Sequence, residues 1–251
     1  MNLYGWVVAA IFVASVVTFV MLFYLTAPYG RYMRNGWGLA MKPHWAWLIM
    51  ESPAVIVIAL AALFGNSYDP LSIFFLLLWE THYIYRTFVY PFLLHESGTR
   101  NFPIVLIVMA ILYNTANGYV NGFHLFDGGG GSYKLTWIAD PRFIGGVVLF
   151  VLGFVIHVRS DAILRSLRNP GERNYSIPYG GMFRFISSPN YFGEIIQWCG
   201  FAVATWSIAG LSFAVFTIAN LLPRGISHHR WYRANFPDYP EDRRAIIPFV
   251  W

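Results

Sequence analysis

The chain has 251 residues, of which 57% are hydrophobic and only 12% charged, with a formal net charge of +5. Soluble domains usually carry about twice that charged fraction, so with a mean hydropathy of +0.50 the composition points to a membrane protein rather than a soluble one. The single cysteine, Cys199, excludes an internal disulfide and any zinc site built on two thiolates; set in "QWCGFAV", it reads as a small packed hydrophobe.

About 20 apolar residues suffice for a helix to cross the hydrocarbon. Such runs occur at roughly 3–26, 45–65, 70–93, 103–125, 142–158, 191–207 and 208–223. The first has no basic segment before it and is too long for a signal-peptide core, so it reads as a retained span. The last two are short and divided only at "TWSIAG", which predicts a hairpin. The expected fold class is therefore all-α: a polytopic integral membrane protein of about seven transmembrane helices, with essentially no soluble domain.

Seven spans sort the 17 Lys and Arg residues unequally. One side holds 14 of them: Arg31, Arg34, Lys42, Arg100, Arg159, Arg165, Arg168, Arg173, Arg184, Arg224, Arg230, Arg233, Arg243 and Arg244. The other holds Lys134 and Arg142, and Arg86 lies within a span. Basic loops stay on the cytoplasmic side, so the N-terminus is expected outside and the C-terminus in the cytoplasm. This positive surface suits anionic lipid heads, and no nucleic-acid partner is implied. The tract "FDGGGGSYK" (126–134) falls on the outer side and reads as a flexible loop. No strand precedes it and no helix start follows to hold a phosphate.

Ionisable residues within membrane helices usually face a cavity or a partner. Glu51, in "WLIMESPAVIVIALA", is one. In "WETHYIYRTFVYP", Tyr83, Arg86 and Tyr90 share one helix face; the plain alternative is an Arg86–Glu80 salt bridge. In "HVRSDAILRSLRNPGERNY", Asp161, Arg165 and Arg168 recur at i, i+4 and i+7 before Pro170-Gly171. An acceptor followed by arginine forks suits a ribose and phosphates, although a solvated helix end looks similar. In "SSPNYFGEIIQW", Asn190 and Glu194 share a face, and Gly193 permits close approach. In "PRGISHHRWYRANFPDYP", Arg224, His228 and Tyr232 share another. His228 and His229 are adjacent rather than i, i+4, so no metal site is expected.

Two long stretches, "LRSLRNPGERNYSIPYGGMFRFISSPNYFGEIIQWCGFAVATWS" and "HHRWYRANFPDYPEDRRAIIPFVW", strongly resemble the C-terminal half of steroid 5α-reductases, and "HYIYRTFVYPFL" with "RNFP" resembles an earlier helix and loop of that family. The resemblance covers about 79–103 and 155–251. It implies a seven-helix enzyme that reduces the 4,5 double bond of a 3-oxo-Δ4-steroid with NADPH. It also implies one integral membrane domain over 1–251, with 1–100 mainly around the substrate and 101–251 mainly around the cofactor. Positions matching the family's cofactor contacts are Tyr29 (in "PYGRY"), Arg86, Tyr90, Arg100, His157, Asp161, Arg168, Tyr175, Asn190, Glu194, Arg224, His228 and Tyr232. Those matching its ketone-binding acid and phenol are Glu51 and Tyr83. The chain departs from the family at Met50, where Gln is usual, at His157, where Asn is usual, and at Ser176, where a basic residue is usual. A preference for NADPH over NADH therefore rests on Arg168.

In this scheme Tyr83 donates to the ketone directly, and Glu51 donates as a neutral acid, the form that burial favours. Glu194 orients the nicotinamide carboxamide with help from Asn190, while Asp161 and the arginines hold ribose and phosphates. The expected partners are a hydrophobic steroid and membrane lipid, with no obligate protein partner. The setting is a bacterial inner membrane or the endoplasmic reticulum, with the cofactor site facing the cytoplasm. Alternatives of other kinds are an enoyl-thioester or other sterol double-bond reductase, an S-adenosylmethionine-dependent lipid methyltransferase, and a non-enzymatic transporter or lipid-binding scaffold. A transporter is expected to show inverted repeats, and no internal repeat is evident.

Overall fold

The computed structural model describes residues 2–94, 101–127, 133–167 and 175–250. Arg100, Arg168, Pro170-Gly171 and the centre of the glycine tract lie outside these residues. Among the described residues the chain forms seven α-helices: α1 (Leu3–Tyr24), α2 (Pro43–Phe64), α3 (Pro70–Ile84), α4 (Ile104–Phe126), α5 (Pro141–Ser166), α6 (Pro189–Thr205) and α7 (Ile208–Asn235). The protein is an all-α multi-pass membrane protein, and α1, α2, α4, α5 and α7 are each long and apolar enough to cross a membrane. A two-residue ladder pairs β1 (Ala40–Met41) with β2 (Phe102–Pro103) in antiparallel register, Ala40 opposite Pro103.

Helix starts follow local chemistry. The Asp69 carboxylate accepts from the Leu71 and Ser72 amides, and Pro70 supplies a first helical residue that needs no donor. Asp140 and Pro141 repeat the device at α5. Between α6 and α7, Trp206 takes a left-handed conformation (φ 45°) and the Ser207 hydroxyl accepts from the Gly210 amide, closing the expected hairpin in two residues. Beyond Ile84 the third segment continues through a π turn (Tyr85–Val89) and a 3-10 turn (Tyr90–Leu93). This wider turn sets the direction of Arg86 and Tyr90.

Two helices outrun their expected ends. α5 continues to Ser166 rather than stopping near 158, and α7 runs 28 residues, through Pro223, rather than ending at 223. Hydropathy marks the part in hydrocarbon, whereas the helix persists until a breaker, here Phe236-Pro237. Cys199 is partly exposed rather than fully packed.

Helices α5 and α6 make the closest approach. A Cβ at Gly153 would lie 2.4 Å from the Gln197 nitrogen, and one at Gly193 would lie 2.6 Å from the His157 nitrogen. Small residues let membrane helices pack backbone to backbone. The close approach expected at Gly193 is that of α5. An aromatic core of Phe75, Trp79, Tyr83, Trp198, Phe201 and Phe213 fills the space beside this seam, with the Trp79 indole donating to the Ala54 carbonyl at 3.0 Å. Gly153→Val should force the seam apart and cost about 1–3 kcal/mol. The check is thermal unfolding in detergent, where this variant should melt well below wild type while Gly145→Val, at a glycine with open space around it, should not.

Candidate active site

One pocket opens beside the basic helix ends, lined by Tyr29, Arg31, Tyr32, Trp47, Arg86, Tyr90, Asp161, Tyr175, Asn190, Tyr191, Arg224, His228 and Tyr232 among others, and enclosing about 200 Å³. Of the positions singled out in the sequence, nine line it directly. His157, Glu194, Glu51 and Tyr83 continue from its floor toward the core. Arg100 and Arg168 lie outside the described residues.

The floor is a chain of charges. Arg86 Nε lies 3.4 Å from Glu51 Oε1, and its Nη1 lies 3.6 Å from Glu194 Oε2. Its guanidinium stacks on Trp47, 4.5 Å from the ring centre. The Arg86–Glu80 pairing is thus not made; both Glu80 oxygens are buried without a hydrogen-bond partner among the described residues. Glu80 and Arg86 are close in sequence, but the π turn after Ile84 leaves Arg86 against α2 and α6.

Glu51, the buried acid of "MESP", accepts on both oxygens. Asn114 Nδ2 donates to Oε2 at 3.1 Å and also reaches the Met50 carbonyl at 2.7 Å. Asn114 was missed in the sequence although a signal existed: Asn114, Asn117 and Asn121 lie at i, i+3 and i+7 along an apolar span. Tyr83 is 3% exposed and lies among Trp79, Trp198 and Phe213.

Beyond Glu194 the chain continues. His157 Nδ1 is 3.6 Å from Glu194 Oε2 and 3.2 Å from the Asn190 carbonyl, while its Nε2 is 3.5 Å from Asp161 Oδ2. Asn190 Nδ2 donates to Asp161 Oδ1 at 3.1 Å. The other Asp161 oxygen is buried without a hydrogen bond among the described residues, and Asp161 lines the pocket.

The opposite wall is aromatic and cationic. Arg224 donates to the Tyr191 hydroxyl at 2.7 Å and lies over the Tyr29 ring. His228 is held between the Tyr191 and Tyr32 hydroxyls at 3.1 and 3.3 Å. Arg31 sits in a cage of Tyr175, Trp231 and Tyr232, donates to the Tyr232 hydroxyl at 3.2 Å, and keeps Nη1 buried without a partner among the described residues. Arg31, Tyr32 and Tyr191 were also missed, though Tyr191 adjoins Asn190 and the other two follow Tyr29 within "PYGRY". Burial pushes the Tyr29 phenol up to about 12, so it stays a neutral hydroxyl throughout the physiological range.

This donor set fits a dinucleotide. An unsatisfied carboxylate oxygen suits a ribose hydroxyl, and an unsatisfied guanidinium nitrogen beside Arg224 suits phosphate oxygens.

A family model described as 3-oxo-5-alpha-steroid 4-dehydrogenase matches residues 100–251. The chain is 40% identical over 241 residues to 3-oxo-5-alpha-steroid 4-dehydrogenase 1 of Bos taurus, covering 94% of this chain and 92% of that one. It belongs to the 3-oxo-5-alpha-steroid 4-dehydrogenase family. Plant members are similarly near: it is 38% identical over 257 residues to steroid 5-alpha-reductase DET2 of Gossypium hirsutum, covering 100% and 98% of the two chains. The likeness to steroid 5α-reductases read from the motifs therefore extends over nearly the whole chain, including the N-terminal helices where no motif carried it.

Within this family member, Arg86→Gln should leave Glu51 and Glu194 facing each other without a cation. Removing one partner of a buried ion pair costs about 3–5 kcal/mol. Arg86→Lys should recover only part of that loss, because a point charge cannot fork between two carboxylates. Thermal unfolding of the two variants beside wild type checks the ranking.

Proposed function

We propose that this family member reduces the 4,5 double bond of a 3-oxo-Δ4-steroid with NADPH, taking the cofactor from the cytoplasmic side. The observation that carries this is Arg86 joining a cationic, aromatic pocket on one side to the buried acid Glu51, near the aromatic core, on the other. The activity for which the relatives are named, steroid 5α-reduction, supports the same conclusion.

When bound, NADPH would supply the hydride for the steroid's C5. The protein's task is to hold the reactants and to stabilise charge at the C3 oxygen. Tyr83 donates its hydroxyl to that oxygen from a buried position, where each such donor contributes about 3–4 kcal/mol to the transition state. Glu51 donates from Oε1, whose contact to Arg86 is long at 3.4 Å, while Oε2 keeps its hydrogen bond from Asn114. Glu194 orients the nicotinamide carboxamide. Asp161 takes the ribose hydroxyls, Arg31 and Arg224 take phosphate, and Tyr29 and Tyr90 cover the ring systems. As the family resemblance implies, Arg168 would supply the preference for a 2′-phosphate.

Purified protein should consume NADPH with testosterone or progesterone, and should not do so with an enoyl-CoA. Glu51→Gln should keep partial turnover, since an amide still donates, whereas Glu51→Leu should abolish turnover and still bind NADPH. Tyr83→Phe should lose about 100-fold or more in kcat. Normal steroid reduction by Glu51→Leu would remove the ketone role. Consumption of NADPH only with the enoyl-CoA would replace the substrate class.

A further inference from the structure

A second concave site lies on the other side of α7. At 100° per residue, His229 and Arg233 point away from the Arg224, His228 and Tyr232 face that lines the cofactor pocket. They border instead a cavity of about 600 Å³ with Arg230, Arg243, Arg244 and Glu241. Four arginines thus face one carboxylate, and among the described residues no ion pair links Glu241 to any of them.

Arg243 is the unusual member. It is only 3% exposed, and its Nε and Nη1 are buried without a hydrogen-bond partner among the described residues. Its guanidinium is wedged against the rings of Tyr179 and Tyr239, 4.9 and 5.2 Å from their centres. A solvated positive helix end would leave its arginines in water. A buried, unpaired guanidinium instead requires an anion, because an uncompensated charge out of water is costly.

The walls are fixed before any ligand arrives. The Arg244 amide donates to the Phe185 carbonyl and its own carbonyl accepts from the Ser187 amide, both at 2.9 Å. The Ser187 hydroxyl meets His229 Nδ1 and the Tyr239 hydroxyl at 2.6 Å each. The residues after α7 are therefore pinned to the segment before α6, and the arginines converge from two sides.

We propose that this cavity is a binding site for a phosphate group, separate from the cofactor pocket. Arg243 forms its buried anchor, and Arg230, Arg233 and Arg244 form its rim. Arginine forks match phosphate oxygens, and basic pockets beside membrane helices take phosphorylated head groups. The ligand is a phosphate ester, carried either by an anionic phospholipid or by a soluble compound.

The test uses the full chain purified in a neutral detergent. One arm titrates phosphatidylglycerol against phosphatidylcholine, and the other titrates pyrophosphate, with binding followed by native mass spectrometry and thermal unfolding. Wild type should retain one phosphate-bearing ligand and melt higher with it. Arg230→Gln and Arg233→Gln should each weaken that binding about tenfold, with NADPH affinity unchanged. Retention of phosphatidylglycerol alone identifies a lipid head group, and retention of pyrophosphate identifies a soluble phosphate; either supports the site. The proposal is overturned if neither is retained, if both variants bind as wild type does, or if Arg34→Gln and Arg159→Gln, equal charge losses elsewhere, weaken binding as much. Arg243→Gln adds a further loss where it folds, and the rim variants decide the matter where it does not.

Discussion

Everything at the centre of this protein depends on one guanidinium placed between two carboxylates in a membrane. Arg86 reaches Glu51 on α2 and Glu194 on α6 at 3.4 and 3.6 Å. Arginine is the one side chain that keeps its charge under any such burial. Without it Glu194 would stand uncompensated in an apolar setting, and Glu51 would lose the donor beside its Oε1. With it, the acid beside the core phenol and the acid beside the pocket become parts of a single electrostatic unit. Chemistry on a hydrophobic substrate can thereby be coupled to a water-soluble cofactor.

That unit is precise only because α5 and α6 cannot separate. The glycine contacts at 153 and 193 bring the backbones together and set His157 between Asp161 and Glu194. A larger residue at either glycine would move the histidine and both acids at once. The seam is thus part of the site, although it holds no polar group of its own. Asn114 fills the same supporting role from α4, fixing one oxygen of Glu51 so that the other is left for Arg86.

Much of this was legible in the residues. Each of the seven apolar runs holds a helix among the described residues, five of them long and apolar enough to cross a membrane, because hydrocarbon demands internally bonded backbone, and the faces carrying Asn190 with Glu194 and Arg224 with His228 and Tyr232 lie on the elements expected of them. What composition could not show is where helices end and which acid an arginine chooses. Hydropathy stopped α7 at Pro223, whereas its polar extension to Asn235 builds walls of both pockets. Spacing alone allowed Arg86 to pair with Glu80; the π turn after Ile84, which no periodicity announces, turned it elsewhere. Asn114 escaped notice because asparagine is uncharged, yet three of them on one face of an apolar helix were a signal of equal strength. Spacing could not name the protein groups that reach Glu51, which are Arg86 and Asn114.

The most direct measurement of the shared unit is a double-mutant cycle between Glu51→Gln and Glu194→Gln, scored as kcat/KM for steroid reduction. If Arg86 joins the two acids, the losses should be non-additive by about 1 kcal/mol or more, roughly fivefold in kcat/KM. Strict additivity would mean that the acids act independently and that Arg86 does not join the two halves of the site.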